Sequence, residues 1–391
     1  MSTDRRIYVP RRRIIQGLLA TAAFAATTKL AGCASDTGTP SDGQGEGSDA
    51  LTVGFIYVGA KDDYGWNQAH ALGAAEMAKL PGIKLIEQAS VPETKEVQEV
   101  MRSMIEQDGA KVIFPTSFGY FKPHVLEMAT QHTDVMFFHC STLWEEGMPT
   151  NIGTYYANTD EGQFLAGRIA AQTSKSGKLG FVAAKPVNPV LRNINGFILG
   201  ARSVKPDITM QVIFTGDWSV PVKEAEATNS LADQGIDAIG VHVDSPKVVI
   251  ETAEKRGIFT SGYHADQGSL APKGYLTGTT YHWGQIYKEY VDLIKAGKKV
   301  MDGGIPRQVL GSLKEDYIRL APFGPAVSEA TKKDAEATKA KVIDGTLMVY
   351  TGEIKDNTGK VQIPAGKKYT LSDPMLGKMD WLANGVIGSV S

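Results

Sequence analysis

Residues 51–59 have the sequence LTVGFIYVG, and this stretch is the first that points to the fold. It is short, apolar and rich in β-branched residues, and it ends at a glycine. These features are typical of a strand that is buried on both faces of a parallel sheet. Residues 67–80 follow, with alanines recurring at helical spacing. A buried strand followed directly by a helix predicts the first β-α unit of an α/β protein.

The same alternation continues along the chain. Further strands are expected at 84–87, 112–115, 135–139, 178–183, 210–214, 238–242 and 257–261. Helices are expected at 94–107, around 125–129, and at 193–202, 222–234, 247–255 and 328–343. Strands that alternate with helices in this way predict parallel sheets with crossover helices. The pattern restarts after residue 151, so we expect two α/β units of comparable size.

The loops that follow the predicted strands all contain Asp, Asn or Ser, and in four of the six an aromatic residue stands near it. They are residues 61–67, 116–121, 185–189, 215–219, 243–246 and 263–267. In parallel sheets, ligands bind at the carboxyl ends of the strands, and two facing units form a cleft there. Aromatic rings stack on a flat heteroaromatic ligand, and carboxylate and amide groups bond its polar edge. Any single loop of this kind is also ordinary turn chemistry.

Length and charge exclude several classes of protein. The chain has 391 residues, which is enough for two lobes or domains, and 41 Lys and Arg balance 43 Asp and Glu. We therefore expect no nucleic-acid partner. No Asp-rich metal signature and no Gly-x-Gly-x-x-Gly motif after the first strand is found in the sequence. We expect a binding protein rather than an enzyme, with no metal and no cofactor.

The first 33 residues indicate export. Residues 1–32 carry six basic side chains and one acidic side chain, and residues 17–26 are weakly apolar and too short to span a bilayer. The arginines at 11–13 resemble a twin-arginine signal, and the alternative is general secretion. The sequence Leu-Ala-Gly-Cys at 30–33 looks like a bacterial lipobox that leaves Cys33 acylated; the alternative is a chance cysteine. Residues 34–50 contain no large apolar side chain and are expected to form a flexible tether.

Five segments resemble the basic membrane lipoprotein family of substrate-binding proteins for ABC importers, whose best-understood members bind purine nucleosides. They are residues 62–68, 161–167, 233–239, 244–246 and 379–386, and the resemblance covers about residues 51–391. It implies a type I periplasmic binding fold, with two Rossmann-like lobes joined by a three-crossing hinge. The implied N-terminal lobe comprises residues 51–155 plus about 284–320. The implied C-terminal lobe comprises residues 156–283 plus about 321–391.

The resemblance also implies roles for particular residues. Trp66 stands where the family has a base-stacking Phe, and Asn67 matches an Asn that bonds the base edge. Trp218 falls where a second stacking ring is expected, and Asp266 lies near the family's ribose-binding acid. The full candidate set is Tyr57, Asp63, Trp66, Asn67, Ser117, Phe118, Arg192, Trp218, Asp244, Asp266 and Trp283.

Several of these residues have a purely structural role as the alternative to ligand binding. Trp66 would equally serve as an aromatic residue that packs at the hinge. Asp63 and Asp244 each precede a predicted helix and would cap it. Arg192 would equally form an ion pair at the surface or between the lobes.

Two departures from the family pattern bear on the ligand. Tyr57 and Val58 stand where nucleoside-binding relatives have an Asp, and residues 277–283 lack the Lys that holds ribose hydroxyls and end in Trp283. A buried hydroxyl without a partner costs roughly 1–3 kcal/mol. We therefore expect a free nucleobase such as adenine to be preferred over a nucleoside.

The sequence thus predicts a lipid-anchored, extracytoplasmic solute-binding protein that captures a purine by lobe closure and delivers it to an ABC permease. We expect a monomer that reaches the membrane only through its lipid, either at the outer face of the cytoplasmic membrane or in the periplasm. The alternatives are a nucleoside-binding protein of the same family and a ligand sensor partnered with a membrane receptor. A nucleoside hydrolase and an adhesin are more distant rivals.

Overall fold

The computed structural model describes residues 50–390. Within this range the strands are β1 (Leu51–Ile56), β2 (Ile83–Gln88), β3 (Val112–Pro115), β4 (Met136–Cys140), β5 (Ile152–Ala157), β6 (Lys178–Ala183), β7 (Thr209–Phe214), β8 (Ala238–His242), β9 (Phe259–His264), β10 (Tyr275–Tyr281), β11 (Gln308–Gly311), β12 (Ile318–Leu320), β13 (Tyr350–Thr351), β14 (Ile354–Lys355), β15 (Val361–Ile363), β16 (Lys368–Tyr369) and β17 (Val386–Ile387). The α-helices in the same range are α1 (Trp66–Met77), α2 (Glu96–Glu106), α3 (Leu126–Gln131), α4 (Asp160–Thr173), α5 (Asn188–Arg202), α6 (Pro221–Asp233), α7 (Lys247–Arg256), α8 (Trp283–Lys295) and α9 (Glu329–Ile343).

Two large sheets form the centres of two lobes. The first sheet has the order β11-β5-β4-β3-β1-β2, and all its strands are parallel. The second has the order β12-β10-β9-β8-β6-β7-β17, and only β12 runs antiparallel to its neighbour. The central strands β3, β4 and β8 are buried along their whole length, as expected where helices cover both faces of a parallel sheet.

The chain crosses between the lobes three times. It leaves the first sheet after β5 and enters α4, which packs on α5 and β10 of the second lobe. It returns after β10 into α8, which packs on α1 of the first lobe. It leaves again between β11 and β12. These crossings give the two-lobed, three-crossing architecture that the resemblance implied.

The last crossing lies a little earlier than the sequence suggested. Ile318–Leu320 was assigned to the N-terminal lobe, but this strand pairs with β10 in the second sheet. The remaining lobe limits stay a prediction. The export signal, the lipobox with Cys33 and nearly all of the tether lie outside the described residues. No helix within residues 50–390 has the length and apolar character needed to cross a bilayer.

Candidate ligand-binding site

The loop after β1 is built around the carboxylate of Asp63. This carboxylate accepts hydrogen bonds from the backbone N–H groups of Gly65, Asn67 and Gln68, at 2.8, 3.1 and 2.9 Å. It thereby satisfies donors at the start of α1 that have no partner within the helix. Helix capping is therefore the role that the structure gives Asp63. The cap holds Trp66, the first residue of α1, at the carboxyl edge of the first sheet.

Asn67 is engaged inside the first lobe. Its Oδ1 accepts a hydrogen bond from the Gly59 N–H at 3.1 Å, and its Nδ2 donates to Asp63 at 2.8 Å. The side chain is buried. These bonds tie the loop after β1 to the start of α1, and contact between Asn67 and a ligand stays a prediction.

The two lobes meet at this loop, so the structure is closed. The backbone N–H of Trp66 donates to the carbonyl oxygen of Asp244 at 2.9 Å. The hydroxyl of Ser245 donates to the carbonyl oxygen of Asp63 at 2.7 Å. Both bonds join the first lobe to the loop after β8 in the second lobe.

Gly65 makes the closed contact possible. A Cβ atom at this position would lie 1.8 Å from the carbonyl oxygen of Asp244, so no side chain fits here. Beside it, Nε2 of Gln267 donates to the carbonyl oxygen of Tyr64 at 2.6 Å. The backbone of the first lobe therefore lies directly against that of the second.

Asp244 connects the two tryptophans that the sequence singled out. Its N–H donates to the carbonyl oxygen of Trp218 at 2.8 Å, and its own carbonyl accepts from Trp66. Within the described chain its carboxylate has no hydrogen-bond partner. Burial, followed by the negative charges of Asp63 and Glu93, raises the pKa of this carboxyl to about 7. Near neutral pH the group is therefore able both to donate and to accept a hydrogen bond.

Trp66 lies within a cluster of aromatic rings from both lobes. Its ring centroid lies 4.5 Å from that of His70, 5.6 Å from His264, 5.7 Å from Tyr281 and 6.0 Å from Trp283, all with edge-to-face geometry. Such contacts fix the orientation of an indole. The predicted Trp283 is thus part of this cluster, and it is fully buried.

The imidazole rings of His264 and His242 connect Trp66 to Trp218 through successive ring contacts. The ring centroid of His264 lies 5.7 Å from that of His242, which in turn lies 6.3 Å from Trp218. The ammonium of Lys185 lies 5.5 Å from the centre of the Trp218 ring. Both indoles, both imidazoles and the free carboxylate of Asp244 therefore belong to one region of the cleft.

Arg192 and Asp266 already have hydrogen-bond partners within the second lobe. Arg192 forms a two-pronged ion pair with Asp160, at 2.8 and 3.0 Å, inside the second lobe. Its guanidinium also donates to the carbonyl oxygen of Leu371 at 3.1 Å, so it has the role of a buried ion pair. Asp266 is exposed and accepts from the Gly268 N–H at 2.8 Å, which is turn chemistry. Contact of either residue with a ligand stays a prediction.

The other predicted residues line the first lobe's strand ends. Tyr57 is fully buried, and its hydroxyl donates to Glu87 at 2.9 Å. The hydroxyl of Ser117 donates to Glu93 at 2.5 Å. Phe118 is 63% exposed. These side chains are either already bonded or on the surface, and their contact with a ligand stays a prediction.

Sequence reasoning did not single out three histidines of the site. His70 lies one helical turn after Trp66, and His242 and His264 are the last residues of β8 and β9. His264 also adopts a left-handed backbone with φ of 71°, which is unusual for a residue other than glycine. The sequence signal available for His264 is its position, because it lies in the loop 263–267, which the sequence already places among the candidate binding loops.

Comparison with known proteins agrees with this architecture. Residues 50–352 match the family model described as ABC transporter substrate-binding protein PnrA-like. The chain belongs to this family. A purine-binding protein of Brucella abortus is 36% identical over 349 residues, which cover 88% of this chain and 95% of that protein. A putative ABC transporter glucose-binding protein of Haloferax volcanii is 29% identical over 319 residues, or 81% of this chain and 77% of that one.

Solved structures share the fold. An ABC transporter solute-binding protein of Conexibacter woesei aligns with a TM-score of 0.64 and 20% identity, covering 76% of this chain and 98% of that chain. A transcriptional activator of the comK gene from Bacillus halodurans gives a TM-score of 0.65 at 20% identity, covering 76% and 99%. The type I periplasmic binding fold expected from the sequence is confirmed.

Family membership confirms the broad functional prediction. The protein is the solute-binding component of an ABC transporter and not an enzyme, and its family acts outside the cytoplasm. Within residues 50–390 no group of three or more His, Cys, Asp or Glu side chains is arranged to hold a metal ion. The ligand is therefore expected to be held by rings, hydrogen bonds and the closure of the lobes.

Proposed function

We propose that the protein captures a purine in the cleft, with the flat ring held near the indoles of Trp66 and Trp218 and its edge bonded to Asp244. One observation carries this proposal: the peptide of Asp244 is hydrogen-bonded to both tryptophans, so closure brings all three residues together. The 36% identical relative from Brucella abortus, which is named as purine-binding, supports the same class of ligand.

Closure is expected to depend on the ligand. When the lobes meet without a ligand, the carboxyl of Asp244 is largely buried with no partner, which disfavours the closed form. A purine carries N–H groups that donate to this carboxyl, so its binding removes that penalty. The ligand then shifts the population towards the closed form, because it contacts both lobes only there.

Within the purines we propose a preference for the free base, with adenine as the leading candidate and purine nucleosides as the alternative. The region around Trp66 is filled with rings: Tyr281 stacks on Trp283 with centroids 4.2 Å apart, and His70 stacks on Trp283 at 4.8 Å. Rings of this kind offer few partners for ribose hydroxyls, and an unpaired buried hydroxyl is unfavourable.

We further propose that the protein is a monomer anchored through an acylated Cys33 and that it delivers its ligand to an ABC permease. The family supports a permease partner, and the leader sequence supports the anchor. Metabolic labelling with a fatty acid tests the anchor, because Cys33→Ser is expected to abolish the label. Labelling that persists in this variant contradicts the anchor.

Two measurements test the ligand. Mass spectrometry of the untreated purified protein is expected to detect a co-purifying purine. Isothermal titration with adenine, adenosine and glucose is then expected to give the tightest binding for adenine. Tighter binding of adenosine would overturn the preference for the free base, and binding of glucose alone would overturn the purine proposal.

A further inference from the structure

Two buried histidines of the cleft, His242 and His264, each have one ring nitrogen without a hydrogen-bond partner in the described part of the chain. The neighbours of the other nitrogen indicate whether this free nitrogen donates or accepts. Both histidines end strands of the second sheet, and both are almost inaccessible to solvent. Burial lowers the pKa of each, to about 3 for His242, so both imidazoles are neutral at physiological pH. A neutral imidazole has one N–H donor and one bare nitrogen acceptor, and the partner of one nitrogen decides the role of the other.

His264 offers an acceptor. Its Nε2 lies 3.1 Å from the carbonyl oxygen of Val243, which only accepts, so the proton is on Nε2. Nδ1 is therefore the bare nitrogen. It is buried and has no partner among the described residues. A buried acceptor without a partner is unfavourable unless a donor reaches it.

His242 offers a donor. Its Nδ1 lies 2.9 Å from Nδ2 of Asn193. As that amide is oriented in the structure, its Oδ1 accepts a hydrogen bond from the hydroxyl of Thr159 at 2.7 Å, and its Nδ2 is turned towards His242. Asn193 thus donates to Nδ1, and the proton of His242 is on Nε2. Within residues 50–390 this N–H makes no hydrogen bond.

We infer that His242 and His264 read the edge of the bound ring as a pair, with His242 donating to a ring nitrogen and His264 accepting from an amino group. This inference rests on the proposed purine capture and narrows it to one class of purine. The ring centroids of the two histidines are 5.7 Å apart. The ring of His264 contacts that of Trp66, and the ring of His242 contacts that of Trp218. Asn193 and the carbonyl of Val243 act as positioning groups.

The pair distinguishes between purines. The major-groove edge of adenine presents the N6 amino donor beside the N7 acceptor. The amino group is complementary to the acceptor of His264, and N7 is complementary to the donor of His242. The same edge of hypoxanthine or guanine has O6, an acceptor, in place of the amino group. In the orientation that adenine would take, O6 faces the bare Nδ1 of His264 whether the ring proton is on N7 or N9, so 6-oxopurines are disfavoured.

Titration of the purified protein with adenine, hypoxanthine and 7-deazaadenine tests the inference. We expect hypoxanthine, which has oxygen in place of the amino group, to bind at least about tenfold more weakly than adenine. We expect a similar loss for 7-deazaadenine, which has C–H in place of N7 and leaves the His242 donor unpaired. If all three ligands bind with equal affinity, the inference is wrong while purine capture stands. If none of them binds, the proposed function fails and the inference fails with it.

A variant pair adds a second measurement. His264→Phe keeps an aromatic ring but removes the acceptor, so adenine and hypoxanthine are expected to bind within about threefold of each other. His124→Phe is the matched control, because His124 is a buried histidine bonded to Gln98 in the first lobe and has no part in the contacts of Trp66. It is expected to keep the full preference. An unchanged preference in His264→Phe would contradict the role of His264, and the ligand series on the unaltered protein decides the matter if the variant does not fold.

Discussion

Asp244 illustrates how a single residue links closure to chemistry. Its backbone carbonyl accepts a hydrogen bond from Trp66 across the lobes, and its N–H donates to Trp218 within the second lobe, while its carboxyl is left without a partner in the closed form. The negative charges of Asp63, Glu93, Asp217 and Glu224 reinforce the effect of burial on the pKa of Asp244. Lys185, which lies beside Trp218, is paired with Asp217 at 2.8 Å. The site therefore favours neutral or cationic ligands that donate hydrogen bonds, and it disfavours anionic ones such as nucleotides.

The stability of the protein is expected to depend on pH through Asp244. The pKa of this carboxyl is raised from 3.8 to about 7 on folding, so between about pH 4 and pH 7 the folded protein holds a proton that the unfolded chain has lost. Stability from this group is fully present below pH 4 and is lost as the pH rises to 7. Asp244→Asn removes this dependence, which for a shift of about three pKa units is on the order of 4 kcal/mol.

Thermal unfolding at a series of pH values from 4.5 to 8 measures this difference. The apparent Tm of the unaltered protein is expected to fall, relative to Asp244→Asn, as the pH rises. Asp266→Asn serves as the control, because Asp266 is exposed in a turn, and it should follow the unaltered protein. Parallel curves for the unaltered protein and Asp244→Asn would show that the carboxyl is solvated.

Stacking by Trp66 is tested by removing its ring. Trp66→Ala is expected to weaken adenine binding by about 10- to 100-fold, since stacking on a base contributes roughly 1–3 kcal/mol. Trp66→Phe should retain most of the affinity. Trp144→Ala is a matched control, because that indole contacts Arg307, with the guanidinium 5.9 Å from the ring centre, and is not among the rings around Trp66. Full affinity in Trp66→Ala, measured by titration calorimetry, would remove Trp66 from the site.

Individual residues were predictable from the sequence only where their position alone suggested a role. Trp66, Trp218 and Asp244 follow buried strands, and the structure brings them together. Capping by Asp63 was one of the alternatives that the sequence offered, because its partners are only two to five residues away. The ion pair of Arg192 could not be predicted, because its partner, Asp160, is 32 residues away in the chain. A histidine at the end of a strand gives no sign of its tautomer, since a distant carbonyl or amide decides it.

At the scale of elements, the predicted strands agree with the observed ones to within two residues at each end, except that β9 ends three residues later than predicted. The elements β5, α4, β10 and α8 were not predicted. The strand β5 has the sequence IGTYYA, in which a glycine and a threonine interrupt the apolar pattern. The helix α4 contains two glycines. The backbone of Phe197 in α5 lies against Gly167 of α4, and the backbone of Phe164 in α4 lies against Gly200 of α5. Close packing of α4 on α5, which is a tertiary effect, stabilises a helix whose own sequence disfavours it.

The start of α1 gives a test of closure itself. Gly65→Ala places a methyl group 1.8 Å from the position of the Asp244 carbonyl oxygen, so the lobes cannot meet as they do here. We expect adenine affinity to fall by tenfold or more, a penalty of roughly 1–3 kcal/mol, with little change in the stability of the unliganded protein. Gly377→Ala is the control, because a Cβ there meets no atom within 4 Å.

Small-angle X-ray scattering separates closure from simple loss of a contact. Adenine is expected to reduce the radius of gyration of the unaltered protein and of Gly377→Ala. Gly65→Ala should stay open at adenine concentrations that saturate the other two. Equal compaction in all three would mean that the loops adjust and that Gly65 is not required.

At the scale of the whole molecule, the order of elements was enough to predict two lobes, and the resemblance supplied the three crossings. The position of the last crossing was not predictable to the residue, because β12 has only three residues and its pairing with β10 depends on tertiary contacts. The two lobes are joined by three connections, and a ligand that contacts both should stabilise the whole protein rather than one lobe.

Ligand-induced stabilisation of both lobes follows from this arrangement. At an adenine concentration of 100 times Kd, binding to the folded state alone adds about 2.7 kcal/mol, which is expected to raise the Tm by several degrees. The shift should appear as one transition, because the proposed site includes Trp66 from the first lobe and Asp244 from the second. Differential scanning calorimetry with adenine, with glucose and with Trp66→Ala measures it. Glucose should produce no shift and Trp66→Ala a smaller one, whereas stabilisation of only one of two separate transitions would show that the ligand binds a single lobe.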